Sequence, residues 1–318
     1  MKPVVCITDA GFENVETERQ IVEAAGCELR KFQCVMPEDV IAAAKDADVL
    51  IAQWAPINAD VLRSLSRCRG VVRYGIGVDN IDLHAAKAAG IPVANVPDYC
   101  IDEVADHALA FALALVRQLP GTDARVRSGE WKIVPPVPMP AMRNMLFATA
   151  GFGRIARAVL QRARVFGCQV AAYDPYVSDA EFSELGVCRL GLDEVFEAAD
   201  IVSLHLPLVP ETRQLVNRER LGKMKPHAVL INTARGGLID TCALAEALSA
   251  GRPGFAGLDV FETEPVEPDH PLRSAPNVLL TSHTAWYSSA SVKELQRLAA
   301  EEAVRCLRGE PFKNPVIH

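Results

Sequence analysis

The run Leu146-Phe147-Ala148-Thr149-Ala150-Gly151-Phe152-Gly153-Arg154-Ile155-Ala156 decides the fold. An apolar strand pattern ends at Gly151. A helical pattern begins after Gly153 and continues to Phe166. The spacing is Gly-x-Gly-x-x-Ala, and the dinucleotide fingerprint tolerates Ala at its third position. Glycines let backbone N–H groups approach a pyrophosphate, whose charge is favoured at the helix N-terminus. A second strand pattern, Gln169-Val170-Ala171-Ala172-Tyr173, ends at Asp174, 21 residues after Gly153. An acid about 20 residues beyond the glycines occupies the ribose-binding position. A lone glycine motif is a weak signal; the strand before it, the helix after it and the acid at that distance make it specific. A carboxylate at position 174 accepts from ribose hydroxyls and repels a 2′-phosphate. The residues that follow, Pro175 and Tyr176, bring no arginine. The expected cofactor is NAD rather than NADP.

Strand and helix patterns alternate outward from this unit in both directions. Upstream, Val4–Thr8, Cys27–Phe32, Val49–Ala52, Gly70–Tyr74 and Val93–Asn95 read as strands. Thr17–Ala25 and Pro37–Ala44 read as helices between them. Such alternation predicts a parallel sheet with helices on both faces. Asp102–Leu119 reads as one long apolar helix, expected to lie buried between domains. The proline-rich stretch Trp131–Pro140 reads as a surface loop. The second α/β unit runs from near Met145 to about Thr281, and Ser289–Arg308 returns to helix. The expected architecture is two doubly wound parallel-sheet domains, residues 1–98 with 288–318 and residues 99–287.

Three strand-end segments carry candidate catalytic residues. Arg235 follows the apolar run Ala228–Ile231, Glu264 follows Ala256–Leu258, and His283 follows Val278–Leu280. In open α/β sheets, ligands sit outside the carboxyl ends of the strands. An Arg there can hold a carboxylate bidentately. A His can move a proton near neutral pH, and a Glu can hold that His and favour its charged form. Glu262 is a nearby decoy. His107, on the apolar helix, reads as a packed or inter-domain histidine. Gly75-Ile76-Gly77 can present a concave run of backbone N–H donors, and Arg73 is an adjacent candidate anion partner.

The composition agrees with an ordinary two-domain globular chain: 318 residues, 50% hydrophobic, 23% charged. The net charge of −7 gives no electrostatic reason to bind nucleic acid. No apolar run suits a membrane span, and the amino end does not read as a signal peptide. Nine cysteines without a C-x-x-C pair argue against zinc and a disulfide framework, and for a reducing cytoplasm. No metal site is expected.

Val72–Asp82, Gly151–Ala156 and the segments around Arg235, Glu264 and His283 together resemble the D-isomer-specific 2-hydroxyacid dehydrogenases, over nearly the whole chain. The run His283-Thr284-Ala285-Trp286-Tyr287-Ser288 is similar to the branch related to the C-terminal-binding-protein corepressors. The resemblance implies a flavodoxin-like substrate domain, an inserted Rossmann NAD domain, a cleft between them and a homodimer. It implies that the last helix rejoins the first domain. It also implies His283 as general acid/base, Glu264 as its partner and Arg235 on the substrate, with Arg73, Gly75, Ile76 and Gly77 as further substrate contacts. Cofactor contacts are implied for Gly151, Phe152, Gly153, Arg154, Ile155 and Asp174. Val104, His205, Pro207, Thr212, Thr233 and Ala234 are implied near the cofactor, and Asp259 at the nicotinamide amide. For His205 and Thr212 a plain turn role stays open.

Two positions depart from the family pattern. Asn144 stands in the turn before the dinucleotide strand, where positive φ is expected to keep the turn. Ala148 stands where a glycine is usual, which bears on close packing. Trp286 is expected to offer an apolar face that favours uncharged 2-oxo acids over phosphohydroxypyruvate. No carboxyl-terminal regulatory domain of the phosphoglycerate dehydrogenase kind is expected. The alternative to an enzyme is an NAD(H)-sensing interaction protein.

Overall fold

The computed structural model describes residues 2–135 and 137–317; Met1, His318 and Pro136, within the expected Trp131–Pro140 loop, lie outside the described residues. The chain divides into two compact units, one of residues up to Cys100 together with Tyr287 onward, the other Ile101–Trp286.

The first unit contains β1 (Val4–Ile7), β2 (Glu28–Lys31), β3 (Val49–Ala52), β4 (Val71–Arg73) and β5 (Val93–Ala94). The second contains β6 (Leu146–Ala150), β7 (Gln169–Tyr173), β8 (Cys188–Arg189), β9 (Ile201–Leu204), β10 (Val229–Asn232), β11 (Phe255–Leu258) and β12 (Val278–Leu280). A last strand, β13 (Pro315–Ile317), returns to the first unit.

The first sheet has the order β2-β1-β3-β4-β5-β13. Its five leading strands follow the flavodoxin-like order, with the chain reversing direction across the sheet between β1 and β3. All pair in parallel except β13, which is antiparallel to β5. Every residue of β1 and β3 is buried, which requires helices on both faces. One cover is the helix Ser289–Leu307, which packs on β3, β4 and the helix Glu16–Ala24 through residues such as Leu295, Ala299 and Ala303. The chain thus re-enters its first unit.

The second sheet has the order β8-β7-β6-β9-β10-β11-β12, all parallel. This is the Rossmann order with a seventh strand, and its switch point lies between β6 and β9. The expectation of two doubly wound sheets holds. Ala148, expected to disturb close packing, is fully buried and pairs with Ala171 and Val202.

Two local expectations are corrected. The long apolar helix ends at Val116, not Leu119; it packs on the helix Arg154–Val165, β10 and β11 of the second unit. Gln118 then turns left-handed, with φ 50°, and a separate helix spans Leu119–Arg127. Pro120 explains the break, because it lacks the N–H that would continue the first helix and is tolerated in the first turn of the next. Asn144 does not take positive φ; Met142–Asn144 forms a 3₁₀ turn instead. The strand β13 and the two-residue β8 carry no alternation that a sequence pattern could register.

Candidate active site

Arg235, Glu264 and His283 leave the carboxyl ends of β10, β11 and β12, which are neighbours in the second sheet. Each is fixed by a different local device. Asn232, the last residue of β10, staples the loop after it: its Nδ2 donates to Arg235 O at 2.8 Å and its Oδ1 accepts from Ala234 N at 3.0 Å. At Gly236 a Cβ would lie 1.9 Å from the carbonyl carbon of Phe261. The missing side chain therefore lets the Arg235 loop rest on the turn that carries Glu264.

Glu264 Oε1 accepts from Phe261 N at 2.9 Å, and Oε2 meets His283 Nδ1 at 2.7 Å. Burial pushes the Glu264 carboxyl up. The hydrogen bond and charge of His283, the Phe261 N–H and Arg235 outweigh it, and its pKa is lowered overall. The carboxylate is thus kept ionised beside the imidazole.

His283 itself is left-handed, with φ 55°, which is strained for a residue with a side chain. Asp259 holds it there. The Asp259 carbonyl accepts from His283 N at 2.7 Å. Its carboxylate accepts from Thr281 Oγ1 at 2.5 Å, Thr284 N at 2.8 Å and Ala285 N at 2.9 Å. The Thr281 hydroxyl proton goes to Asp259, so His107 Nε2, 3.0 Å away, is the donor to Thr281. His107 also stands edge-on to Phe111. It is a packed histidine of the second unit, and it braces the segment that carries His283. Glu262 accepts from Thr241 Oγ1 at 2.6 Å.

The dinucleotide loop fits its expected ligand. Gly151 has φ 100°, and a Cβ there would lie 2.4 Å from His205 O, so only glycine is accommodated. At Gly153 a Cβ would meet nothing within 4 Å, which leaves open space at the start of the helix Arg154–Val165. No side chain caps that helix start and no acid lies in its first turn, as an anion-binding terminus requires. Asp174 stands at the end of β7. Its Oδ2 accepts from Phe152 N at 2.9 Å, which joins the acid to the glycine loop. Phe152 is buried, stacked on Phe182; Arg154 is exposed and Ile155 half-buried beside it. Beyond β10, Thr233 Oγ1 is buried and has no hydrogen-bond partner, as a hydroxyl awaiting a ligand would be; Ala234 follows, half-buried.

The remaining expected residues divide. Val104 is buried on the helix Ile101–Val116. His205 bonds Ser203 Oγ at 2.9 Å, and burial lowers its pKa to about 3, so it is neutral. The Thr212 hydroxyl accepts from Val209 N and donates to Pro207 O, the local contacts of the turn role left open for it. That satisfies the hydroxyl locally, and Pro207 is exposed in the same turn. Asp259, expected at a nicotinamide, is fully buried with its carboxylate committed to the 281–285 segment. In the first unit, Arg73 ends β4 and its Nη1 occupies the place a Gly75 Cβ would take. Gly75 N donates to Arg73 O, so this donor of the expected Gly75-Ile76-Gly77 run is used locally; Ile76 O accepts from Asn95 Nδ2. Trp286 is half-buried in a turn at the end of the second unit. The positioning roles of Asn232 and Thr281 escaped the sequence reading; the one available signal was a polar residue at the end of each apolar run.

Among the described residues no group of His, Cys, Asp or Glu could hold a metal, and no helix is long and apolar enough to cross a membrane. Residues 109–285 match the family model for the NAD-binding domain of D-isomer-specific 2-hydroxyacid dehydrogenases. The chain is 40% identical over 281 residues to a D-3-phosphoglycerate dehydrogenase of Mycobacterium bovis, which covers 85% of this chain and 50% of that protein. It therefore spans about half the length of that relative. It is 38% identical over 275 residues to a glyoxylate reductase of Korarchaeum cryptofilum, covering 85% of this chain and 83% of that protein. Its fold matches a D-lactate dehydrogenase of Aquifex aeolicus, solved with NAD and lactic acid, at a TM-score of 0.89 and 27% identity over 99% of each chain. With these likenesses added to the two sheet orders and the three strand-end residues, the chain belongs to the D-isomer-specific 2-hydroxyacid dehydrogenase family.

Proposed function

We propose that the chain is an NAD-dependent oxidoreductase that interconverts small D-2-hydroxy acids and 2-oxo acids. The observation that carries this reading is the 2.7 Å contact between His283 Nδ1 and Glu264 Oε2 on neighbouring strand ends. Glu264 accepts from Nδ1–H, which leaves Nε2 to face the substrate. In oxidation, neutral Nε2 takes the hydroxyl proton; in reduction, the imidazolium returns it to the C2 oxygen. A positioned acid–base group of this kind contributes roughly 10²–10⁴ in rate. Arg235 donates to the substrate carboxylate and the C2 oxygen, with Trp286 of the same unit as a further substrate contact. NAD, when bound, accepts or supplies the hydride at C2. The glycine-loop N–H groups hold its pyrophosphate, Asp174 its adenosine ribose, and the Thr233 hydroxyl its nicotinamide side.

We further infer a homodimer formed largely by the second unit. Its support is the exposed apolar side chains of Leu119, Val126, Trp131, Ile133 and Val134, with Trp131 79% and Ile133 90% exposed. Such a patch on a monomer marks an interaction surface. The nine free cysteines fit a reducing compartment such as the cytoplasm. The relatives described above are dehydrogenases and reductases, which lends the sensor reading no support.

The test is NADH consumption across glyoxylate, pyruvate, hydroxypyruvate, phosphohydroxypyruvate and branched 2-oxo acids, with His283→Ala alongside. The expected result is turnover in the wild type that falls by orders of magnitude in the variant while NADH still binds. Near-full activity of His283→Ala on every substrate that the wild type reduces would refute the mechanism.

A further inference from the structure

The residues directly after Asp174 bring no arginine, but the fold brings one from the next strand. In the second unit, β8 pairs in parallel with β7, with Arg189 beside Ala172. Leu190 N donates to Ala172 O at 3.0 Å, which fixes this register. Arg189 therefore stands next to the end of β7, where Asp174 follows. Its Nη2 donates to Asp174 O at 3.2 Å. A guanidinium thus touches the backbone of the residue whose carboxylate is joined to the glycine loop through Phe152 N.

Two further contacts hold that guanidinium. Its Nη1 pairs with Oδ1 of Asp179, the first residue of the helix Asp179–Glu184. Its Cζ lies 5.4 Å from the centre of the Phe182 ring, and Phe182 stacks on Phe152 of the glycine loop at 4.4 Å. Ring stacking therefore ties Arg189 to the dinucleotide loop as well as to the acid. The neighbouring Arg157 is committed elsewhere: its Nε donates to Phe152 O at 2.9 Å, and its Nη2 to Glu181 Oε1 at 3.1 Å.

Opposed charges thus meet at the ribose corner. The Asp174 carboxylate accepts from ribose hydroxyls and repels a 2′-phosphate. The Arg189 guanidinium is a planar fork of donors that matches a phosphate. Its acidic partner is a surface one: the Asp179 side chain is 83% exposed, that of Arg189 38%. Exposed ion pairs are weak, so a phosphate can compete with Asp179 for the guanidinium.

We propose that Arg189 is a second determinant of cofactor choice: a 2′-phosphate partner kept masked by Asp174 and Asp179. Asp174 keeps the phosphate out, and Asp179 occupies the cation. The preference for NAD is then a balance of three residues rather than the effect of one acid. The proposal rests on the assignment of NAD to the second unit. Its test is fluorescence titration of NADH and NADPH with the whole chain. The proteins are wild type, Asp174→Ala, Asp174→Ala with Arg189→Gln, and Asp174→Ala with Asp179→Asn. Relative to Asp174→Ala, the added Arg189→Gln should weaken NADPH about tenfold, the scale of losing a hydrogen bond to a charged group, and leave NADH unchanged. The added Asp179→Asn should tighten NADPH and leave NADH unchanged. Melting temperature checks the fold. Arg189→Lys carries the comparison if Arg189→Gln does not fold, with a smaller loss for NADPH, because it keeps the charge but not the fork. Unchanged NADPH affinity in either double variant overturns the proposal. So does an equal loss for both cofactors, which a purely structural brace would give. Either result leaves the NAD assignment standing. Failure of the wild type to bind NADH overturns that assignment, and this proposal with it.

Discussion

Asp259 offers a sharp perturbation, because the structure and the family resemblance give it different work. In the structure its carboxylate takes three donors from the 281–285 segment, and its carbonyl takes His283 N. Asp259→Asn keeps the size of the side chain but turns one acceptor oxygen into an NH₂ donor. On the Oδ2 side that donor faces the N–H of the buried Ala285. An N–H left unpaired in a buried place costs about 1–3 kcal/mol. The strain of a left-handed residue such as His283 is of the same order, about 1–3 kcal/mol, and is released when the restraint goes. If roughly 2–3 kcal/mol of that positioning is lost in the transition state, kcat falls about 30- to 150-fold. Steady-state NADH oxidation with the best 2-oxo acid measures kcat, and NADH fluorescence titration measures cofactor affinity. The expectation is a loss in kcat with NADH affinity nearly unchanged, and a smaller loss in Thr281→Val, which removes one of the three carboxylate contacts. A variant with normal kcat at saturating NADH but much weaker NADH binding would refute this reasoning. It would place Asp259 at the nicotinamide instead.

Four further outcomes are expected. Glu264→Gln should slow reduction more at pH 8 than at pH 6, because the imidazolium loses its anionic partner; pH–rate profiles in both directions check it. The Glu264 pKa is lowered in the fold, so its stabilisation is present above the ordinary value of 4.5 and is lost as pH falls below it. Melting curves between about pH 3 and 5 should therefore be flatter in the same variant. Glu18, buried and accepting from Tyr74 and Gln296, shows the opposite sign: burial raises its pKa. Its neutral form stabilises below 4.5 and that contribution fades as pH rises, so Glu18→Gln should lose less melting temperature than wild type as pH rises above 4.5. Asp174→Ala should narrow the preference for NADH over NADPH in fluorescence titrations, and equal affinities in the wild type would remove Asp174 from the cofactor argument. Light scattering at micromolar concentration should give twice the 34.5 kDa chain mass; the monomer mass would exclude the dimer.

The sequence made legible what local chemistry decides by itself. From Leu146 to Asp174 the strand pattern, the glycines, the helix pattern and the terminal acid all agree, and the structure has each in place. Features set by a partner far along the chain were not legible. Val116 ends its helix although the apolar pattern runs on to Leu119, because Pro120 and the left-handed Gln118 override periodicity. β13 is a strand only because β5 offers it an edge more than 200 residues earlier. Asp259 looks from its position like a ligand contact at a strand end. Only the fold shows its carboxylate turned toward Thr281, Thr284 and Ala285.

The spacing of the three candidate catalytic residues also has a physical origin. A parallel strand can reach its neighbour only by a crossover of a dozen or more residues. Arg235 and Glu264 are 29 residues apart, and the helix Thr241–Ser249 makes that crossover. Glu264 and His283 are 19 apart, bridged by the 3₁₀ turn Pro271–Arg273. Residues so separated can meet at one sheet edge only if their strands are neighbours, and β10, β11 and β12 are. The gaps between these residues are thus set by the connections between strands. The identities of the residues are set by the chemistry at the strand ends. Insertions within the crossovers should therefore leave the His283–Glu264 contact intact, whereas a one-residue insertion between Asp259 and Glu264 would shift Glu264 away from both Phe261 N and His283 Nδ1.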